Sequence, residues 1–196
     1  MVFTLPVIET DRLILRSIEY TDVEALFAYF SRDEVTRYYD LESFDDRDQA
    51  LALIQNWKDR YERQEVVRWG ITLKSSDLLI GTCGYHNLKK KHLKAEIGYD
   101  LHPEYWGQGF MKEAVSAILT YGFKQMALNR VEALVHVDNS ASRQLLDKSG
   151  FKQEGVLREG LMKNKSAVDA ALYSILKREY VMERKCPKES LRRMYT

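Results

Sequence analysis

The chain has 196 residues, of which 45% are hydrophobic and 30% charged, and its formal net charge is +1. That length fits one domain with a full-sized core, and a charge so near zero excludes a global field drawing the chain to nucleic acid or an anionic membrane. Two cysteines, Cys83 and Cys186, make no disulfide framework, and four histidines, at 86, 92, 102 and 136, lack metal-ligand spacing.

Alternation in DRLILRSI gives a first strand, and Thr21-Asp22 caps a short helix reaching about Phe30. The acidic segment DLESFDDRD is a loop, and Asp45 or Asp46 caps a longer helix carrying Ala50, Leu51, Ile54, Trp57 and Tyr61. VVRWGITL and LLIGTCGYHNL form a hairpin across Ser75-Ser76-Asp77. The lysines of LKKKHLK have no interleaved aromatic residues, which reads as a solvated hairpin tip before the strand AEIGYDL. A glycine turn leads into a helix with Met111, Ala114, Val115, Ile118, Gly122 and Met126 on one face. RVEALVHV is apolar enough for a strand buried on both faces. Asn139 to Ser142 open another helix with Leu145 and Leu146 inward, and Gly150 sits where a C′ glycine belongs. Phe151 starts a strand, VDAALYSILKREY supplies the last, and a polar basic tail begins at Lys185. No apolar run is long enough to span a bilayer and no signal-peptide pattern opens the chain, which predicts a cytoplasmic protein.

The order predicts a single-domain α/β (α+β) fold. Its mixed, mostly antiparallel central sheet has about seven strands, with helices on both faces and one parallel βαβ unit.

The most informative run extends from Glu96 to Lys112. A strand passes through His102-Pro103 into a loop with Gly107 and Gly109, and a helix begins at once. The first helical N–H groups lack intrahelical partners and the helix dipole adds positive charge, so such a turn cradles an anion. A dinucleotide fingerprint would need glycine at position 112, where Lys112 stands, and a P-loop would need Gly-Lys-Ser/Thr. Taken alone, the turn is either an anion cradle or a tight connection using glycine for positive φ.

Together, EIGYDLHPEYWGQGFMKEA and VDNSASRQLLDKSGFKQEGVLRE resemble the GNAT superfamily of acyl-CoA-dependent N-acetyltransferases, in the branch of the ribosomal-protein N-terminal acetyltransferases. The resemblance covers nearly the whole chain, with the domain at residues 1–184 and the tail at 185–196. It implies acetyl-CoA as co-substrate, no metal, an amine acceptor such as a basic protein N-terminus, and a monomer or homodimer. The family's pyrophosphate loop, Gln/Arg-x-x-Gly-x-Gly/Ala, falls on Trp106, Gly107, Gln108, Gly109, Phe110 and Met111, followed by Lys112. Trp106 and Met111 depart from the pattern, and Met111 leaves the diphosphate free only if its side chain points into the core. The resemblance lays Tyr99, Asp100 and Leu101 along the pantetheine arm, matches Asn139 to a cofactor-contacting Asn and puts Ser142 near the thioester sulfur. Asn139 is equally placed as an N-cap, and Ser142 as a solvent-facing helical Ser.

Acetyl transfer needs a neutral amine. At pH 7 deprotonation costs about 1.4 kcal/mol for an α-amine and about 4.6 for lysine. By resemblance Glu96 is the base, and its alternative role is an exposed Glu paired with Lys94. A backbone N–H near Leu101 holds the oxyanion. The family's usual Tyr acid is missing, because that part of the helix reads Leu145-Leu146, so Ser142 is the candidate donor to the thiolate. Cys83 with His86 is a weak thiol-nucleophile pair that nothing nearby orients. On the acceptor side, the acidic loop favours a cation or is simply solvated. Tyr38, Tyr39, Trp69 and Tyr85 are candidate lining residues there.

Overall fold

In the computed structural model, which describes residues 5–180, eight strands form one sheet. They are β1 (Ile8–Glu9), β2 (Leu13–Arg16), β3 (Val67–Leu73), β4 (Leu79–Lys89), β5 (Lys94–Leu101), β6 (Arg130–His136), β7 (Lys152–Lys163) and β8 (Ser166–Leu176). Their spatial order is β1-β2-β3-β4-β5-β6-β8-β7, and every neighbouring pair is antiparallel except β5–β6. The eighth strand is β1, whose two residues are too few to show alternation in the sequence. The tail at 185–196 and Cys186 lie outside the described residues.

Helices α1 (Val23–Phe30), α2 (Asp33–Thr36) and α3 (Arg47–Glu62) precede the long hairpin, α4 (Phe110–Lys124) links β5 to β6, and α5 (Ser140–Lys148) links β6 to β7. Two apolar clusters form. One joins Met111, Ala114, Val115, Ile118 and Phe123 of α4 to Cys83, Tyr85, Ala95 and Ile97 of the sheet. The other joins Leu26, Tyr29 and Phe30 of α1 to Ala50 and Ile54 of α3. Alternation along β5 and along β4 beyond its irregularity at Leu79–Gly81 thus sends odd positions to α4 and even positions to the opposite face.

Local chemistry explains the helix ends. Asp46 caps α3 by accepting the Asp48 N–H at 2.8 Å, and Gln49 completes the box. Gly150, at φ +87°, ends α5 in a Schellman turn, with the Phe151 N–H reaching the Leu146 carbonyl at 3.0 Å. Asp22 is the N-cap of α1 but makes no side-chain cap hydrogen bond to it, because its carboxylate pairs with Arg16 and accepts the Glu19 N–H, each at 2.8 Å. β6 is buried on alternate residues only, with Val131, Ala133 and Val135 inward. Residues 177–180 leave β8 for a helical turn.

Candidate active site

The sheet splits at its centre. β5 and β6 pair at Lys94–Arg130, Ala95–Val131 and Glu96–Glu132, and there the ladder stops although both strands continue. His102 donates its N–H to Ile80 of β4, so by alternation the backbone groups of Tyr99 and Leu101 point the other way, into the gap. Their carbonyls confirm the direction. Tyr99 O accepts the Tyr39 hydroxyl at 2.8 Å, and Leu101 O accepts the Trp106 indole N–H at 2.7 Å.

On the α4 side, the glycine turn closes one end of the gap. Gly107 and Gly109 adopt φ +74° and +81°, and Gly109 is the N-cap of α4. A side chain at Gly107 would meet nothing within 4 Å, so the loop surface is open there. Glu113 donates the first intrahelical bond, to Gly109 O, which leaves the N–H groups of Phe110, Met111 and Lys112 at the open end. Met111 is buried in the core, as its departure from the family pattern requires, while Lys112 is exposed. Arg12 braces the loop from outside. It donates to Gln108 O at 3.0 Å, pairs with Glu113 at 2.7 Å and stacks 4.2 Å from the centre of the Phe110 ring.

Asn139 and Ser142 close the same side at the start of α5. Asn139 is the N-cap, its side-chain oxygen accepting the Ser142 N–H at 3.0 Å. The Ser142 hydroxyl lies 2.6 Å from that of Tyr99.

Glu96 stands on the opposite face, at the last paired position before the gap. Its carboxylate lies 3.4 Å from Nε2 of His86. The His86 hydrogen bond holds it below the usual carboxylate range, against partial burial that pushes the other way. Next to it, Gly98 leaves room that His86 and Arg68 border, their atoms 3.3 and 3.4 Å from where a Cβ would sit. The charge of Arg68 is met by buried Asp100, which also accepts from Tyr29 at 2.6 Å and from the Thr82 hydroxyl at 2.7 Å. Among the described residues, no group of three His, Cys, Asp or Glu is placed to hold a metal ion, and no helix is long and apolar enough to cross a membrane.

The parallel pair splays beside a glycine turn whose first helical N–H groups are open to an anion, and residues 12–152 match the acetyltransferase (GNAT) domain model. The chain belongs to the GNAT acetyltransferase family. This acetyltransferase is 48% identical over 172 residues to YoaA of Bacillus subtilis (strain 168), an uncharacterized N-acetyltransferase, covering 88% of this chain and 97% of that one. It is 36% identical over 133 residues to YdaF of the same organism, named as a candidate ribosomal N-acetyltransferase, covering 68% and 72%. A GNAT acetyltransferase crystal structure from Bacillus anthracis superposes with a TM-score of 0.80 at 27% identity, covering 89% of this chain and all of that one. The protein is an N-acetyltransferase, with acetyl-CoA as its acetyl donor.

Several expected site residues of the acetyltransferase fall elsewhere. Trp69 and Tyr85 do not line the acceptor slot. Both are fully buried, Trp69 donating to Pro6 O and packing on Tyr121, Tyr85 donating to Ile118 O beside Gly122. Their odd positions send them to α4. Asp100 pairs with Thr82 in the β4 ladder, so its backbone faces β4 and its side chain enters the Arg68 network. Trp106 spends its indole N–H on Leu101 O and so does not donate to a diphosphate. Cys83 and His86 lie on opposite faces, and burial pushes the Cys83 thiol up. Tyr38 stays near the site, donating to Asp138 O at 3.1 Å with its ring 5.2 Å from that of His136. Sequence reasoning did not find the roles of Arg12, Arg68, His86 or Lys163. The Lys163 ammonium reaches the carbonyls of Thr36 at 3.1 Å and Tyr39 at 2.6 Å from the β7–β8 hairpin. Such contacts join distant parts of the chain and leave no local signature.

Proposed function

We propose that this enzyme transfers acetyl from acetyl-CoA to the N-terminal α-amine of a protein in the cytoplasm, with Glu96 as base. The observation that carries the reading is the placement of Glu96 on one face of the sheet and of the Tyr99–Ser142 pair on the other, with the open gap between them. Donor and acceptor approach from opposite faces and meet in the gap.

The residues present fit the donor. The open Gly107 surface and first turn of α4 take the diphosphate, and the Tyr99 and Leu101 backbone lines the pantetheine. Met111, turned into the core, leaves that surface clear.

The neutral amine approaches over Gly98, with Glu96 placed to take a proton from its nitrogen, directly or through water, as the new bond forms. Its nitrogen attacks the thioester carbonyl, and a backbone N–H near Leu101 holds the oxyanion. The C–S bond then breaks, its electron pair leaves on sulfur, and Ser142 donates to the departing thiolate.

A carboxylate held low is a weak base. It suits an amine with a pKa of about 8, for which neutrality costs about 1.4 kcal/mol, better than a lysine or polyamine nitrogen costing about 4.6. The exposed acids Asp40, Glu42 and Asp45 follow Tyr38–Tyr39 and complement a basic protein terminus. The relative named for ribosomal acetylation agrees with this choice.

An acceptor screen with acetyl-CoA, following release of the CoA thiol, tests the reading. Peptides beginning Ser or Ala are expected to turn over faster than spermidine, free amino acids or aminoglycosides. A preference for the small amines would replace the protein acceptor. Binding of acetyl-CoA without turnover on any amine would replace catalysis with a binding role.

A further inference from the structure

The 2.6 Å contact between Tyr99 and Ser142 joins two hydroxyls, each able to give one hydrogen bond and to accept others. Either hydroxyl could donate in this contact, and the phenol, the stronger acid of the two, is the better donor. The Ser142 backbone N–H is tied to the Asn139 cap, which anchors the start of the helix that carries its hydroxyl. With one lone pair taken by Tyr99, the single Ser142 proton must point away from the ring. Tyr99 and Ser142 both border the gap, and the helix position where related enzymes carry a Tyr acid is filled by Leu145 and by Leu146, which is buried in the core.

We propose that Tyr99 is a positioning residue for the leaving group: by donating to Ser142 it turns the Ser142 O–H toward the thioester sulfur. This inference rests on the acetyl-CoA reading above. No proton leaves Tyr99 in the step. Burial pushes its phenol up to about 12, whereas a thiol titrates near 8.5, so transfer to the thiolate would run uphill. The C–S electron pair goes to sulfur, the Ser142 O–H hydrogen-bonds the thiolate, and solvent protonates it after release. The proton lost by the amine is the one taken by Glu96. Tyr99 thus replaces an acid with an oriented donor, reached from β5 rather than from the α5 helix.

The test compares two ligands differing only at sulfur. CoA and desulfo-CoA are titrated calorimetrically at pH 9, where the thiolate fraction of CoA is higher than at pH 7, into the wild-type enzyme, Tyr99→Phe, Ser142→Ala and the double variant. Tyr99→Phe keeps the ring and its packing. It is expected to cut the preference for CoA over desulfo-CoA about fivefold while leaving desulfo-CoA affinity unchanged. Ser142→Ala is expected to cut the preference at least as far, and adding Tyr99→Phe to it should change nothing further. Equal weakening of both ligands by Tyr99→Phe, an unchanged preference, or additive effects in the double variant would each overturn the inference. If neither ligand binds the wild-type chain, the acetyl-CoA reading itself fails and takes this inference with it.

Discussion

Nε2 of His86 lies 3.4 Å from the Glu96 carboxylate, across the β4–β5 ladder where the two residues are register partners. The contact favours the ionised form of Glu96, which shares a face of β5 with Gly98. Glu96→Gln preserves the shape and removes the base, so kcat is expected to fall well over tenfold with little change in acetyl-CoA affinity. Steady-state kinetics with both substrates varied checks this. Unchanged turnover removes Glu96 from the mechanism.

The sign of the Glu96 shift fixes the pH profile. Its pKa is lowered in the folded state, so the carboxylate is charged throughout the neutral range and is lost only as pH falls through that lowered value. The rise of kcat/KM toward alkaline pH therefore belongs to the acceptor, with an α-amine giving a midpoint of about 8. Replacing the acceptor with a peptide of lower amine pKa should move the midpoint down equally. A midpoint that stays put would assign the limb to the enzyme.

Much of this architecture is legible in local chemistry. Positive φ at Gly107, Gly109 and Gly150, the buried stripe of α4 and the Asp46 cap each follow from residues close in sequence. The faces taken by the large aromatics are not local in this sense. Trp69 lies on β3 and Tyr85 on β4, and both strands run through consecutive buried residues (69–72 and 79–85), so residue type alone does not say which face they take. The Arg68–Asp100 pair joins β3 to β5, and Lys163 reaches back to Tyr39 across 124 positions, distances that periodicity does not encode.

Asp100 is buried and holds the charge of Arg68. Asp100→Asn leaves that guanidinium without its counter-charge, which is expected to cost about 3 kcal/mol of stability or more. Urea unfolding at pH 7 measures it. A loss below about 1 kcal/mol would mean that water or a neighbour compensates.

Gly107 separates strain from contact. Gly107→Ala meets no atom within 4 Å, so its stability cost is backbone strain alone, about 1–2 kcal/mol at φ +74°. Its methyl would stand where the diphosphate approaches, and CoA affinity is expected to fall about tenfold or more. Calorimetry with CoA decides, and unaltered affinity would move the diphosphate off this loop.

Lys163 pins the loop that carries Tyr39. Lys163→Met is expected to raise the acceptor KM several-fold while leaving the acetyl-CoA KM unchanged. If both rise together, the loop serves folding rather than the acceptor side.

The central claim is tested most directly by mass spectrometry of a Ser- or Ala-initiated peptide, containing an internal lysine, after incubation with the enzyme and acetyl-CoA. One acetyl group on the N-terminal residue, absent with Glu96→Gln, is the result predicted. Acetyl on the lysine alone, or transfer to spermidine with none to the peptide, would contradict it.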